Sequence, residues 1–464
     1  MDIYQQIKAA FGKAVPDLSE YFALTDRCRR IYAGEPEWRS VKKNGLYRSG
    51  NRSLALLNTA KVLCDRFAVF AFSEPPEVVC GSKNAGDLLR DVIEKTNLFG
   101  RMSEELSYAF AMGGCVFRPY LHGGDIGIDC VFGDGFIPTQ WDSCGIYEGC
   151  FRSVRFKDGY WYTLLEFHGG GSIMHRLFRS RDGSSLGCEC ELSELYPELD
   201  EDAKGFGTPL FSCFKLAGAN NIFPELPLGL SAFANAADTL KALDIAFDSF
   251  MREFVLGRKR IIVPSSCVQT VVDIATGEQR QYFDADDEAY VALKCDEERD
   301  LKITDNTVEL RIDEHVKAIN ALLNILCFQV GLSAGTFSFD VNEGVKTATE
   351  IISRDSRTAA TVRAHQNNLG EALKRLFRSV LQLGVCCGRL SPEDARCEID
   401  ISWHDGIITD ENTIAENNIR LVNNGLKSRA AAIMEIQKCS LEDAERELVR
   451  ISGEAALKGG EFNG

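Results

Sequence analysis

Two stretches of the chain repeat apolar residues at intervals of three and four positions. Leu230 to Val255 contains no Gly or Pro, and Leu240, Leu243, Phe247, Phe250 and Phe254 carry the repeat. That spacing is a heptad seam on a helix. Asp238, Lys241, Asp244, Asp248 and Arg252 fall on the other face, where Asp248 and Arg252, four apart, are expected to pair. The second stretch, Ile312 to about Val330, repeats through Ile312, Val316, Ile319, Leu323, Leu326 and Val330. Successive elements usually touch, so the two helices are expected side by side. Between them, Ile261 to Val263, Val268 to Ile274 and Tyr290 to Lys294 read as strands split by turns. A small β insert therefore sits on a helix pair.

The rest of the chain alternates the two periods. Residues 1–60 read as helical, and Asn58 to Phe72 as an apolar helix stopped by Pro75-Pro76. Glu77 to Cys80 is a short strand and Asp87 to Met112 a helix ended by Gly113-Gly114. A β-rich region with turns at Gly123-Gly124-Asp125, Asp158-Gly159 and Asp182-Gly183 runs on to about residue 190. Glu189 to Asp202, with seven acids and no basic residue, reads as an exposed loop. After the loop Gly331 to Gly344, a long helix is expected from about Val345 to Leu383, striped by Leu369, Leu373, Leu376 and Val380. Arg396 to Trp403 reads as a strand, and the remainder as short helices. Among these, Asn424-Gly425 marks a C-cap and Ser440 to Asp443 a capping box.

Composition limits what this architecture can do. The 464 residues carry 52 Lys and Arg against 68 Asp and Glu, a net charge of -16. A protein that holds DNA by neutralising phosphates needs the opposite balance. The clearest basic stretch is 346–383, with seven Lys or Arg against three acids. No run reaches the roughly 18 apolar residues of a membrane span; Ala318 to Ser333 is short and carries Asn320, Asn324 and Gln329. The opening Met1-Asp2-Ile3-Tyr4 shows no secretion signal. Seventeen Cys in such a chain read as free thiols, since Cys188-Glu189-Cys190 and Cys386-Cys387 lack zinc-knuckle spacing.

Candidate chemistry is sparse. Gly344-Val345-Lys346-Thr347 resembles a phosphate-binding loop, but Val345 interrupts the Gly-Lys-Thr that the motif needs contiguous. Gly123 to Asp129 lacks the closing glutamate of a calcium loop and reads as a hairpin turn. His168 and His175 are joined by no carboxylate cluster at ligand spacing, and no G-x-S-x-G elbow is present. No catalytic, cofactor or metal residue is therefore named, and an enzyme is not expected.

The order of parts resembles the portal proteins of tailed bacteriophages, in their siphophage branch. The most specific stretch is Val330 to Ser353, VGLSAGTFSFDVNEGVKTATEIIS. Ala60-Lys61 with Asp65, running into Phe72-Ser73-Glu74-Pro75-Pro76, and Gly425-Leu426-Lys427-Ser428-Arg429-Ala430 add to it. The resemblance covers nearly the whole chain. It implies an α+β portal fold with an α/β wing (1–229, completed by the long helix and return strand 346–408). It also implies a two-helix stem (230–256 and 312–331), a small β-containing clip (257–311), a tunnel loop (332–345) and a helical C-terminal crown (409–464).

The function so implied is that of a ring-forming subunit, usually one of twelve, of the DNA channel at one capsid vertex. Genome passes through it in packaging and ejection. The implied partners are further copies of the chain, double-stranded DNA, terminase, a head-tail adaptor, and the major capsid and scaffold proteins. The implied location is the virion, after assembly in the host bacterial cytoplasm; no membrane is involved and no cofactor is expected. Thr336, Phe337, Ser338, Phe339, Asn342 and Lys346 become candidates to face DNA. Leu240, Leu243, Phe247, Phe250, Phe254, Val316, Ile319, Leu323 and Leu326 become candidates for stem packing. Arg258, Lys259, Arg260, Asp286, Asp287 and Glu288 become candidates for docking on the clip. A DNA-processing enzyme would need an intact phosphate loop or clustered metal-binding acids. A non-phage helical scaffold would leave the 330–353 stretch unexplained.

Overall fold

A computed structural model of the chain describes residues 3–44, 49–183, 185–257, 261–264, 270–272, 279–281, 290–293, 304–305, 309–338, 348–403, 411–437 and 439–460. The chain opens with α1 (Ile3–Phe11) and α2 (Ser19–Tyr32), then the antiparallel pair β1 (Ser40–Asn44) and β2 (Ser49–Ser53). The helical reading of residues 1–60 fails at this pair, where Ser49, Gly50, Asn51 and Ser53 have weak helix propensity. Next come α3 (Thr59–Ala71), β3 (Glu77–Cys80), α4 (Lys83–Lys95) and α5 (Leu98–Met112). The single helix expected over 87–112 is thus two, broken at Asn97, whose φ of 47° is left-handed.

β4 (Gly114–His122) and β5 (Asp125–Val131) form a hairpin whose Gly123 and Gly124 both have positive φ. β6 (Phe136–Asp142), β7 (Gly145–Lys157), β8 (Tyr160–Gly169) and β9 (Ser172–Ser180) form an antiparallel meander. β10 (Cys188–Cys190) and β11 (Asp202–Lys204) both pair with β9. The acidic stretch 189–202 is therefore held at both ends, and Leu192 within it is buried, which an exposed loop would not do. β12 (Ser212–Lys215) joins β4 on the side away from β5.

α6 (Ala237–Leu256) begins seven residues later than its Gly- and Pro-free stretch suggests, at 237 instead of 230. The reason is upstream: the Ala232 N–H donates to the Phe110 carbonyl at 2.9 Å, and Phe233 is fully buried, so this segment is spent on packing against α5. Short strands follow: β13 (Ile261–Pro264), β14 (Thr270–Val272), β15 (Gln279–Gln281), β16 (Tyr290–Leu293) and β17 (Thr304–Asp305). β13 lies between β16 and β17, and β14 pairs with β15. α7 (Ile312–Val330) then returns antiparallel to α6, and Arg311 donates to Glu253 at 3.0 Å across the far end of the pair. The 39-residue α8 (Ala348–Cys386) is the longest helix among the described residues. β18 (Ile399–Ser402) pairs with β3, setting Ile399 opposite Cys80. α9 (Glu411–Asn423), α10 (Arg429–Gln437) and α11 (Leu441–Gly460) are the last described elements. Gly425 has φ 69°, and the Leu426 N–H reaches the Leu421 carbonyl, which closes α9.

The main core gathers α3, α5 and α8 around Phe67, Phe110, Leu373, Leu376 and Phe377. Leu240, Leu243, Ile319, Leu323 and Leu326 belong to that same core, so the root of the α6–α7 pair is embedded in it. A second core packs Ile7, Leu18 and Tyr21 of the N-terminal segment onto Ile137, Leu165 and Phe167 of the meander. Where α5 passes into β4 the backbones nearly touch. A Cβ on Gly113 (φ 93°) would lie 2.5 Å from the Gly229 carbonyl oxygen, one on Gly229 would strike the Gly113 carbonyl, and one on Gly114 (φ 148°) the Phe214 carbonyl.

Candidate functional site

The seam residues of α6 lose cover along its length. Leu240 and Leu243 are buried, Phe247 and Phe250 half-buried, and Phe254 is 41% exposed. On α7, Ile319, Leu323 and Leu326 are buried and Val316 half-buried. The pair is thus gripped at its root and opens toward Gly257. Away from the seam, Ile245, Met251 and Val255 of α6 and Ile325 and Phe328 of α7 face solvent, Phe328 at 69% exposure. Scattered exposed apolar residues need no explanation; these are five on one helix pair.

On the polar face of α6, Asp238, Lys241 and Arg252 are exposed, but Asp244 and Asp248 are buried. Asp248 accepts from both terminal nitrogens of the Arg52 guanidinium, at 2.6 and 2.7 Å, and from the Ala55 N–H at 3.0 Å. The expected Asp248–Arg252 pair is replaced by this contact, because the β1–β2 pair and the segment after it lie over α6. The hydrogen bond from Arg52 holds the Asp248 carboxyl below its ordinary range. One turn earlier, Asp244 accepts from the Trp38 indole at 2.9 Å and the Leu57 N–H at 3.0 Å, and burial raises its carboxyl. Nothing in the sequence linked Arg52 or Trp38 to these two acids. A pair of acids four apart on a helix beside a heptad seam is the signal that could have prompted a search for a partner.

After α7, Gly331 turns left-handed (φ 79°) and the chain is tied back to α8. The Ser333 N–H donates to the Thr358 hydroxyl at 2.9 Å, the Thr358 N–H to the Ser333 hydroxyl at 3.4 Å, and the Thr361 hydroxyl to the Gly331 carbonyl at 2.7 Å. The Thr336 hydroxyl donates to the Ser333 carbonyl at 2.6 Å. Phe337 is half-buried and packs against the main core, whereas Ser338 is exposed. Arg357 sits over the exposed Phe328 ring, 5.2 Å from its centroid. Phe339, Asn342, Lys346, Arg258, Lys259, Arg260, Asp286, Asp287 and Glu288 lie outside the described residues. So does the interrupted phosphate-loop motif at Gly344 to Thr347.

The basic character of α8 is partly used within the chain: Lys374 pairs with Asp400 at 3.3 Å and Arg375 donates to the Cys144 carbonyl at 3.2 Å. His168 and His175, which the sequence leaves unrelated, converge on Glu166. His168 Nε2 lies 2.6 Å and His175 Nε2 3.4 Å from that carboxylate, and Arg118 is bonded to it at 3.0 Å. Burial alone would raise the Glu166 carboxyl, but Arg118 and the two imidazoles hold it well below its ordinary value. Burial opposes a charge on His175 too, yet Glu166 outweighs it and raises the imidazole. A strand that alternates Glu166 and His168 on one face was the visible part of this cluster; Arg118 was not visible. Among the described residues, no group of three or more His, Cys, Asp or Glu is placed to hold a metal ion, and no helix is long and apolar enough to cross a membrane.

The match to a protein family identifies the class to which the chain belongs. Residues 20–456 match the family described as "Phage portal protein, SPP1 Gp6-like". That match spans nearly the whole chain, and the chain belongs to this portal family. Among solved structures, a chain of "Virion of native gene transfer agent (GTA) particle" is similar at a TM-score of 0.43 and 11% identity, over 94% of this chain and 99% of that one. No curated protein matches by sequence.

Proposed function

We propose that the chain is one subunit of a closed ring, of about twelve copies, that surrounds a DNA passage at one capsid vertex. In this reading α6 and α7 are the stem, 257–311 the clip, 332–345 the tunnel loop, and 409–464 the crown. Residues 1–229 and 346–408 form the wing. The observation that carries the reading is the α6–α7 pair itself. Its root is fixed in the core by Leu243 and Leu326, and its outer faces present Ile245, Met251, Val255, Ile325 and Phe328 to solvent. A ring is a heterologous assembly that closes, so each subunit must offer apolar surface to a neighbour on either side. A helix pair with apolar residues outside its own seam meets that requirement.

The charge balance fits passage rather than grip. Each phosphate neutralised adds affinity and would slow translocation, and a net charge of -16 offers few such contacts. The acids of the clip sequence suit docking to terminase during packaging and to a head-tail adaptor afterwards. Native mass measurement with negative-stain imaging of the purified chain tests the reading. A ring with a central hole is expected. A chain that remains monomeric at high concentration, or hydrolyses ATP, overturns it.

A further inference from the structure

Asn58, Thr59 and Asp244 line a small cavity between the start of α3, the turn after α2 and one face of α6, together with Ile31, Gly34, Pro36, Leu56, Ala60 and Leu240. The space accommodates about one water-sized occupant. Thr59 is 5% and Asp244 6% exposed. The Asn58 amide oxygen and the Thr59 hydroxyl are both buried and have no hydrogen-bond partner among the described residues. Leaving such atoms unpaired is costly, and native proteins rarely do so. Asn58 has φ 51°, so its side chain turns away from capping α3 and lies beside Gly34 instead.

Among the described residues no Lys, Arg or His is paired with the buried Asp244 carboxylate, which accepts only from neutral N–H groups, those of Trp38 and Leu57 among them. A carboxylate, an amide oxygen and a hydroxyl are hard donors, suited to the alkali and alkaline-earth ions rather than to zinc or copper. Charge chooses between those ions. One carboxylate balances a univalent ion, whereas Ca²⁺ or Mg²⁺ would leave a net positive charge buried among neutral donors. We propose that the cavity bounded by Asn58, Thr59 and Asp244 binds a univalent alkali cation, K⁺ or Na⁺, that ties α6 to α3 and the turn after α2. The ion would neutralise the buried charge and satisfy both unpaired oxygens at once.

Thermal unfolding of the full chain in KCl, NaCl and choline chloride at equal ionic strength tests this. A melting temperature higher by roughly 2 °C or more in KCl or NaCl than in choline chloride is expected. Thr59→Val, close in shape, and Asn58→Gly, which suits the left-handed backbone, are each expected to lose that difference. Crystals soaked in thallium(I), which substitutes for K⁺ and scatters anomalously, are expected to show a peak between the three side chains. Equal melting temperatures in all three salts overturn the proposal, as does a salt difference that persists in both variants. A water alone in the cavity, with no thallium peak, overturns it as well.

Discussion

The Arg52 guanidinium holds both oxygens of Asp248 across 196 positions of sequence, so the strand pair near the N-terminus is clamped onto the first seam helix. Asp248 is almost fully buried and Arg52 about three-quarters so. Removing one partner leaves the other charge without its counter-ion. Arg52→Ala is expected to cost about 2–3 kcal/mol, measured by urea unfolding. Arg252→Ala, which removes the residue that the sequence offered as partner, is expected to cost under about 0.5 kcal/mol. The folded Asp248 carboxyl titrates below its free value of 3.8. Its contribution is therefore complete above that value and is lost as pH falls through the folded one.

His365 gives a pH dependence in another window. Its Nδ1 accepts from the Ala217 N–H at 3.0 Å, its ring meets Phe67 and Phe110, and burial pushes it down to about 4 from 6.5. Between those values the unfolded chain binds a proton that the folded chain does not. Stability is therefore intact above pH 6.5 and falls as pH drops toward 4, by about 3 kcal/mol at most. His365→Asn keeps an acceptor without the titration. Denaturant unfolding at several pH values is expected to show a shallower acid slope for the variant.

His175 works in the opposite sense, because Glu166 raises it above its free value of 6.5. Its contribution is full below that value and is lost as pH rises through the folded one. His175→Gln is expected to lower stability at pH 6 more than at pH 9, read from the difference between two unfolding curves.

The close approach at Gly113 and Gly229 allows no side chain. Gly229→Ala places a methyl carbon on the Gly113 carbonyl. The expected loss is above about 2 kcal/mol, since the obstacle is backbone and cannot rotate away. Calorimetric melting checks this directly.

The exposed residues of the helix pair separate folding from assembly. Ile245→Asp and Phe328→Asp lie at positions 46% and 69% exposed. Each is expected to change subunit stability by less than about 1 kcal/mol while shifting sedimentation from ring to smaller species. Unchanged rings in both variants would move the subunit contact elsewhere on the chain.

Much of the fold could be read from the sequence where the signal is local. The heptad spacing of Leu240 to Phe254 and of Ile312 to Val330 comes from contacts a few residues apart, and both segments are helices. The stripe at Leu369, Leu373, Leu376 and Val380 is fully buried. What escaped depends on distant partners. Asp244 and Asp248 share the polar pattern of a solvated face, and contacts with Trp38, Arg52, Ala55 and Leu57, 187 to 206 positions away, turn it into an interior. The acidic stretch at 189–202 reads as loop by charge, yet β9 pairs with both of its ends. The family was legible in the 330–353 motif. The parts of the site that fall at 258–260, 286–288, 339, 342 and 346 lie beyond the described residues.

The contact between Gly113, Gly114, Gly229 and the Phe214 carbonyl also has an evolutionary meaning. A side chain at any of the three glycines is blocked by another stretch of main chain, so no compensating substitution nearby can make room. The three codons are expected to resist drift together. Among distant homologues they should persist as glycine after the surface around them has diverged, and they would serve as fixed points for aligning sequences that share little else.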